Sequence, residues 1–156
     1  MGKIYLDEID RRILRFLIDN ARMPYLEIAR ECGISGAAIH QRIKKLEEQG
    51  VILGAHTMVD PKKLGLDVCA FVNLKIQDPM LSISIAEKLK QVPEVVECHF
   101  ITGTYAVMLK LYCKDNEHLM HTIFDGILRV QGVTSTQTYI SLNESFKREP
   151  YLDLRK

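Results

Sequence analysis

Between Ser35 and Lys45 the chain sets small residues beside a run of hydrogen-bond donors: Ser35, Gly36, Ala37, His40, Gln41, Arg42, Lys44 and Lys45. Arg, Lys and Gln can donate to phosphate oxygens and base edges, and small residues at a helix start let its backbone N–H groups approach the same atoms. The chemistry this suits is recognition of double-stranded DNA. A second group is Thr102, Gly103, Thr104 and Tyr105. A glycine between two threonines, ahead of a tyrosine, offers backbone N–H groups, hydroxyls and a phenol, the equipment for the carboxylate and ammonium of a zwitterion. An ordinary hairpin turn with Tyr105 opening a strand explains these four residues more simply.

Other reactive side chains form no such groups. His118 and His121 lie one helical turn apart, but no third His, Cys or carboxylate cluster is spaced to complete a metal site, so a solvated helix face is expected. His99 falls in a strand and is expected to be packed or at an interface. Cys32, Cys69, Cys98 and Cys113 are too irregularly spaced for a zinc or redox pair and read as free, mostly buried thiols. The spacing shows no acid/base pair, nucleophile constellation or glycine-rich phosphate loop. The expectation is a chain with no catalytic residues, metal or cofactor.

Composition narrows the classes further. The 156 residues carry 21 Lys and Arg against 20 Asp and Glu, so positive charge for nucleic acid must be local. At 47% hydrophobic the chain can bury a core, and no apolar run approaches the roughly 18 residues of a membrane span. The N-terminus runs into an acidic amphipathic pattern where a secretory signal would be apolar, so no membrane partner and a cytoplasmic location are expected.

These groups need elements to hold them. Up to about Gly54 the apolar residues recur at helical spacing, and beyond Gly65 they fall into short runs rich in Val, Ile, Thr and Tyr. The expected divisions are residues 1–53, a linker over 54–66 and a second domain over 67–156. Asp7 caps a helix whose Ile9, Ile13, Phe16 and Leu17 share a face, with Arg11, Arg12, Arg15 and Asp19 left for water. Pro24 suits the first turn of a helix over Tyr25–Cys32, which Gly33 ends, and Ser35 caps a third in which Ile39, Ile43 and Leu46 face inward. Ala29, Gly33 and Ile39 have the spacing of a helix-turn-helix, whose second helix projects into the major groove. A three-helix bundle with a solvated cationic face is the alternative. Val51–Val59 reads as an extended wing or bridging strand.

The second domain reads as strand 68–76, helix 81–91, strand 95–101, strand 105–113, helix 117–129 and strand 133–142. That βαββαβ order is the ferredoxin-like pattern, and the fold class is α+β. Phe71, Val95, Met108 and Tyr112 fall opposite the helix-packed residues, an apolar patch that assembly would cover.

With Leu6–Leu14, Asn20-Ala-Arg22, the helix-turn-helix, Leu46–Ile52 and Thr102–Leu111 in place, the chain resembles the Lrp/AsnC (feast/famine) family of transcription regulators over nearly its whole length. The resemblance implies a winged or simple helix-turn-helix joined by a hinge strand to a ferredoxin-like domain that pairs into homodimers and commonly stacks into octamers, with amino-acid effectors between dimers. It also implies that Thr102–Tyr105 and the adjoining Ala106 line the effector site, approached by Thr134, Ser135 and Thr136 from a neighbouring subunit. Strand propensity on a solvated face explains those three residues equally well. Many relatives carry an acidic residue where this chain has Ala106. A DNA-binding transcriptional regulator responsive to an amino acid or related metabolite is the reading adopted. A ferredoxin-like metabolite-binding protein or small enzyme is the alternative, because a fold does not decide function.

Overall fold

The computed structural model describes residues 4–150, so the outermost ends of the two expected domains, residues 1–3 and 151–156, lie outside the described residues. The described residues form two units, one built from residues 4–57 together with 146–150, the other spanning Met58–Ser145.

The first unit is helical. Helix α1, Glu8–Asp19, starts at a reciprocal cap in which Asp7 Oδ1 accepts from the Asp10 N–H at 2.7 Å and Asp10 Oδ2 from the Asp7 N–H at 3.3 Å. Helix α2, Tyr25–Cys32, follows Pro24, which stands at the N-cap instead of inside the first turn. It ends at Gly33, whose φ of +69° is the left-handed conformation that lets the chain reverse. Helix α3, Gly36–Glu48, begins at Ser35, whose hydroxyl accepts from the Ala38 N–H at 3.2 Å. Ile13, Ile28, Ala29, Cys32, Ile39 and Ile43 close the core. Two arginines expected to face water are used internally: Arg11 Nε donates to the Leu6 carbonyl at 3.2 Å, and Arg12 donates to the Glu31 carbonyl at the end of α2. The expected bridging or hinge strand does not form among the described residues. Among the described residues no strand pairs with Val51–Val59, and Leu53 is 94% exposed.

The second unit carries a four-stranded antiparallel sheet in the order β2-β3-β1-β4, from β1 Val68–Ile76, β2 Val95–Phe100, β3 Val107–Cys113 and β4 Val133–Ser141. With α4, Ser82–Leu89, and α5, Asn116–His121, between the strands this is the ferredoxin-like arrangement. Residues of period two, Ala70, Val72 and Leu74 on β1 and Val107, Leu109 and Leu111 on β3, pack against Ile85, Leu89, Leu119 and Ile127. The second helix runs on past His121 only as a wider π turn, Thr122–Ile127, where the Thr122 hydroxyl donates to the His118 carbonyl at 2.9 Å and competes with the regular ladder.

The opposite face of the sheet bears Phe71, Met108, Tyr112 and Tyr139. Val95, expected there, instead pairs with Leu111 and joins the helix-side core, because the register slips between Val95 and Glu97. In the middle of this face Lys110 is only 7% exposed. Its ammonium lies 5.9 Å from the Phe71 ring and 5.4 Å from that of Tyr112, with Glu97 at 3.7 Å and Glu144 at 3.4 Å. Burial would lower its pKa, but Tyr112 and the two carboxylates outweigh that and hold it above the ordinary lysine value.

Candidate nucleic-acid interface and effector loop

The buried stripe Ile39, Ile43 and Leu46 fixes which way α3 turns. On its other side Ser35, Ala37, His40, Gln41, Lys44 and Lys45 are all exposed, as the sequence expectation requires of a reading surface. Lys44 Nζ sits 3.8 Å from Glu48 Oε1, an exposed pair one turn apart that contributes little and can be exchanged for a phosphate. The His40 ring meets the Tyr25 ring edge-on at 5.4 Å, so the first residue of α2 borders the same surface. Tyr25 was hidden from sequence reasoning because a tyrosine at a helix start reads as core or surface alike.

Two members of the expected set sit elsewhere. Gly36 is half-buried, and a Cβ there would meet Leu26 Cδ2 at 2.9 Å, so its smallness serves the approach of α3 to α2. Arg42 turns away from the exposed stripe. Its Nη1 donates to Asp7 Oδ2 at 2.7 Å and Asp10 Oδ1 at 2.6 Å, tying α3 to the start of α1. These two carboxylates raise the arginine's pKa further. The Asp7 carboxyl is held below the ordinary carboxylate value, burial being outweighed by the Asp10 N–H and Arg42.

In the second unit the segment between β2 and β3 is pinned at its base. The Ile101 N–H donates to the Ala106 carbonyl and the Ala106 N–H to the Leu74 carbonyl, both at 3.0 Å. The strand therefore starts at Val107, and Tyr105, expected to open it, belongs to the loop. Thr102, Gly103 and Thr104 are exposed, Tyr105 and Ala106 half-buried. Gly103 has φ +121°, a conformation that side-chain-bearing residues rarely adopt. Thr134, Ser135 and Thr136 stand on β4 beside the end of β1: Ser135 pairs with Lys75, Thr136 with Leu74, and the Thr134 hydroxyl donates to the Lys75 carbonyl at 3.1 Å. Lys75 Nζ lies 5.7 Å from the Tyr105 ring centre. Lys75 thus borders both expected groups, and a lone lysine late in a strand gave no signal of it.

The remaining candidates stay outside these sites. His118 Nδ1 accepts from the Lys114 N–H at 3.2 Å and its Nε2 lies 2.9 Å from Glu94 Oε1, which makes it a packing link rather than a solvated residue. His99, expected to be packed or at an interface, is exposed in the single chain, beside Glu97 at 3.2 Å. Cys32 and Cys113 are buried, Cys69 is half-buried, and Cys98 is exposed. A cleft of about 240 Å³ lined by Asp60, Lys62, Cys69, Tyr112 and Glu144 opens at the end of β1 remote from the loop. No helix among the described residues is long and apolar enough to cross a membrane.

Comparison with known proteins covers both units. Residues 6–52 match a winged helix-turn-helix DNA-binding family, and residues 68–151 match the Lrp/AsnC ligand binding domain. The regulatory protein AsnC of Escherichia coli K12 is 34% identical over 148 residues, 95% of this chain and 97% of its own. The solved structure of E. coli AsnC superposes with a TM-score of 0.87 at 34% identity, covering 94% of this chain and 99% of that one. A feast or famine regulatory protein from M. tuberculosis, solved in complex with L-methionine, gives a TM-score of 0.88 at 26% identity, covering 96% and 100%.

Proposed function

We propose that this chain, which belongs to the Lrp/AsnC family, is a sequence-specific, DNA-binding transcriptional regulator whose α3 reads the major groove and whose second domain takes an amino acid. The observation that carries the reading is the exposed stripe of Ala37, His40, Gln41, Lys44 and Lys45 on the second helix of a helix-turn-helix. The reading domain is residues 1–53 and the effector and assembly domain 67–156, joined by the linker 54–66. The matches at residues 6–52 and 68–151 support that division. The protein acts in the cytoplasm, as a regulator and not as an enzyme. A mobility shift at graded salt tests DNA binding, because phosphate contacts release counterions and must weaken as salt rises. Binding indifferent to salt overturns the assignment.

One short helix buries too little surface for tight binding, so the functional unit is at least a homodimer, with two reading helices about 34 Å apart. Stacking of dimers to an octamer is the expected extension. The sheet face bearing Phe71, Met108, Tyr112 and the 51%-exposed Tyr139 supplies the means. The full chain is expected to sediment as a dimer or larger at micromolar concentration, and Phe71→Glu to shift it to monomer. A wild-type monomer rules this out.

The effector site is Thr102–Ala106 with Thr134, Ser135 and Thr136. At Gly103 a valine must adopt an unfavourable positive φ and places a branched side chain where a carboxylate would meet the backbone N–H groups. Gly103→Val is expected to reduce amino-acid affinity at least tenfold while leaving DNA binding without ligand intact. Calorimetry against the twenty amino acids, with a mobility shift on the same samples, decides it. Equal affinity in both proteins removes the loop from the site.

A further inference from the structure

Resting on the reading of Thr102–Ala106 as an amino-acid site, we infer that Lys75 is a specificity-determining residue of that site and selects an effector with a second carboxylate, an acidic amino acid. Three observations meet at this side chain. The ladder between β1 and β4 is regular from Cys69 to Lys75 and shifts register between Lys75 and Ile76. An irregularity of that kind re-aims the side chains beside it and is common next to binding sites. The bulge is held from β4, where the Thr134 hydroxyl donates to the Lys75 carbonyl at 3.1 Å.

The second observation is where the ammonium arrives. Lys75 Nζ stands 5.7 Å from the centre of the Tyr105 ring, so the bulge delivers a positive charge to the loop. The third is its electrostatic setting. Lys75 is exposed, and no carboxylate among the described residues lies within ion-pair distance of it. Lys110, the other lysine on this face of the sheet, is by contrast nearly buried and satisfied by Glu97 and Glu144.

The charge balance then decides the ligand class. The loop contributes backbone N–H groups, hydroxyls and a phenol but no acid, Ala106 being apolar, and Lys75 adds a full positive charge. If the N–H groups beside Gly103 take the α-carboxylate, Lys75 remains available for a second anionic group. A cationic amino acid meets repulsion from Lys75, and an amide-bearing one forms only a neutral–cation hydrogen bond there. Aspartate and glutamate satisfy both ends, and the α-ammonium is left to hydroxyls and carbonyls of the rim.

Calorimetry with the full-length protein and four titrants, aspartate, glutamate, asparagine and glutamine, tests this in wild type, Lys75→Gln, Lys75→Arg and Gly103→Val, each first checked for unchanged melting. Wild type is expected to bind one acid about tenfold or more tighter than its amide, with the margin shrinking as salt rises. Lys75→Gln is expected to erase the margin and Lys75→Arg to keep it. A ligand lost in Gly103→Val, with the acid-to-amide ratio of Lys75→Gln equal to wild type, overturns the role of Lys75 and leaves the loop site standing. No binding by wild type, or full binding by Gly103→Val, overturns the loop site and the role of Lys75 together.

Discussion

Alanine at Gln41, Lys44 and Lys45 together is expected to lower affinity for a specific DNA site by about 100-fold or more, with the fold unchanged. All three side chains are exposed on α3, and none supports the core formed by Ile39, Ile43 and Leu46. Each lysine that meets a phosphate is expected to take about one from the slope of log affinity against log salt. Gln41, if bidentate to an adenine edge, contributes about 1 to 3 kcal/mol of discrimination, so Gln41→Ala alone relaxes specificity at one base pair. Fluorescence anisotropy at three salt concentrations separates the two effects. Unchanged affinity in the triple variant removes α3 from the interface.

Arg42→Ala has a different expected signature. The Asp10 side chain is 3% exposed and Arg42 is its cationic partner, so truncation leaves a buried carboxylate with no compensating charge. The expected loss is about 3 kcal/mol of stability, at the lower end for a buried pair because the arginine itself is 29% exposed. DNA binding then falls through unfolding of the helical unit, with the salt slope of the folded fraction unchanged. The pH dependence follows from Asp7, whose folded pKa is depressed. Its contribution is fully present above the ordinary carboxylate value of about 4 and is lost as pH falls through the lower folded value. Wild type should lose stability on that acid limb, and Arg42→Ala should flatten it. Chemical denaturation at pH 7 and between pH 2 and 5 checks both; wild-type stability at pH 7 in the variant contradicts the clamp.

The fate of Arg42 shows where sequence reading stops. Periodicity identified the buried stripe of α3, and with it the exposed one, because a helix with Ile39, Ile43 and Leu46 inward has a single orientation. Arg42 lies at the border between those faces, and only the tertiary position of Asp7 and Asp10 decides which way a long side chain bends. Alternation likewise placed Phe71, Met108 and Tyr112, but a one-residue slip moved Val95 to the other face, and a bulge leaves little mark in a run of valines. The loop was legible as residues and not as a site. Tyr105 and Thr134 both meet Lys75, which sheet order brings beside them from a distant part of the chain. Val51–Val59 has strand-forming residues, and a strand needs a partner, which none of the described residues provides.

Selection of duplexes from a random-sequence pool, with and without a mixture of the twenty amino acids, shows whether the chain is a sequence-specific DNA-binding protein that an amino acid controls. The expected result is enrichment of a two-fold symmetric site with half-sites about one helical turn apart, bound more weakly as salt rises and with an affinity that the amino acids change at least fivefold. A pool that returns no enriched sequence, with retention equally weak at every salt concentration and in both arms, contradicts it.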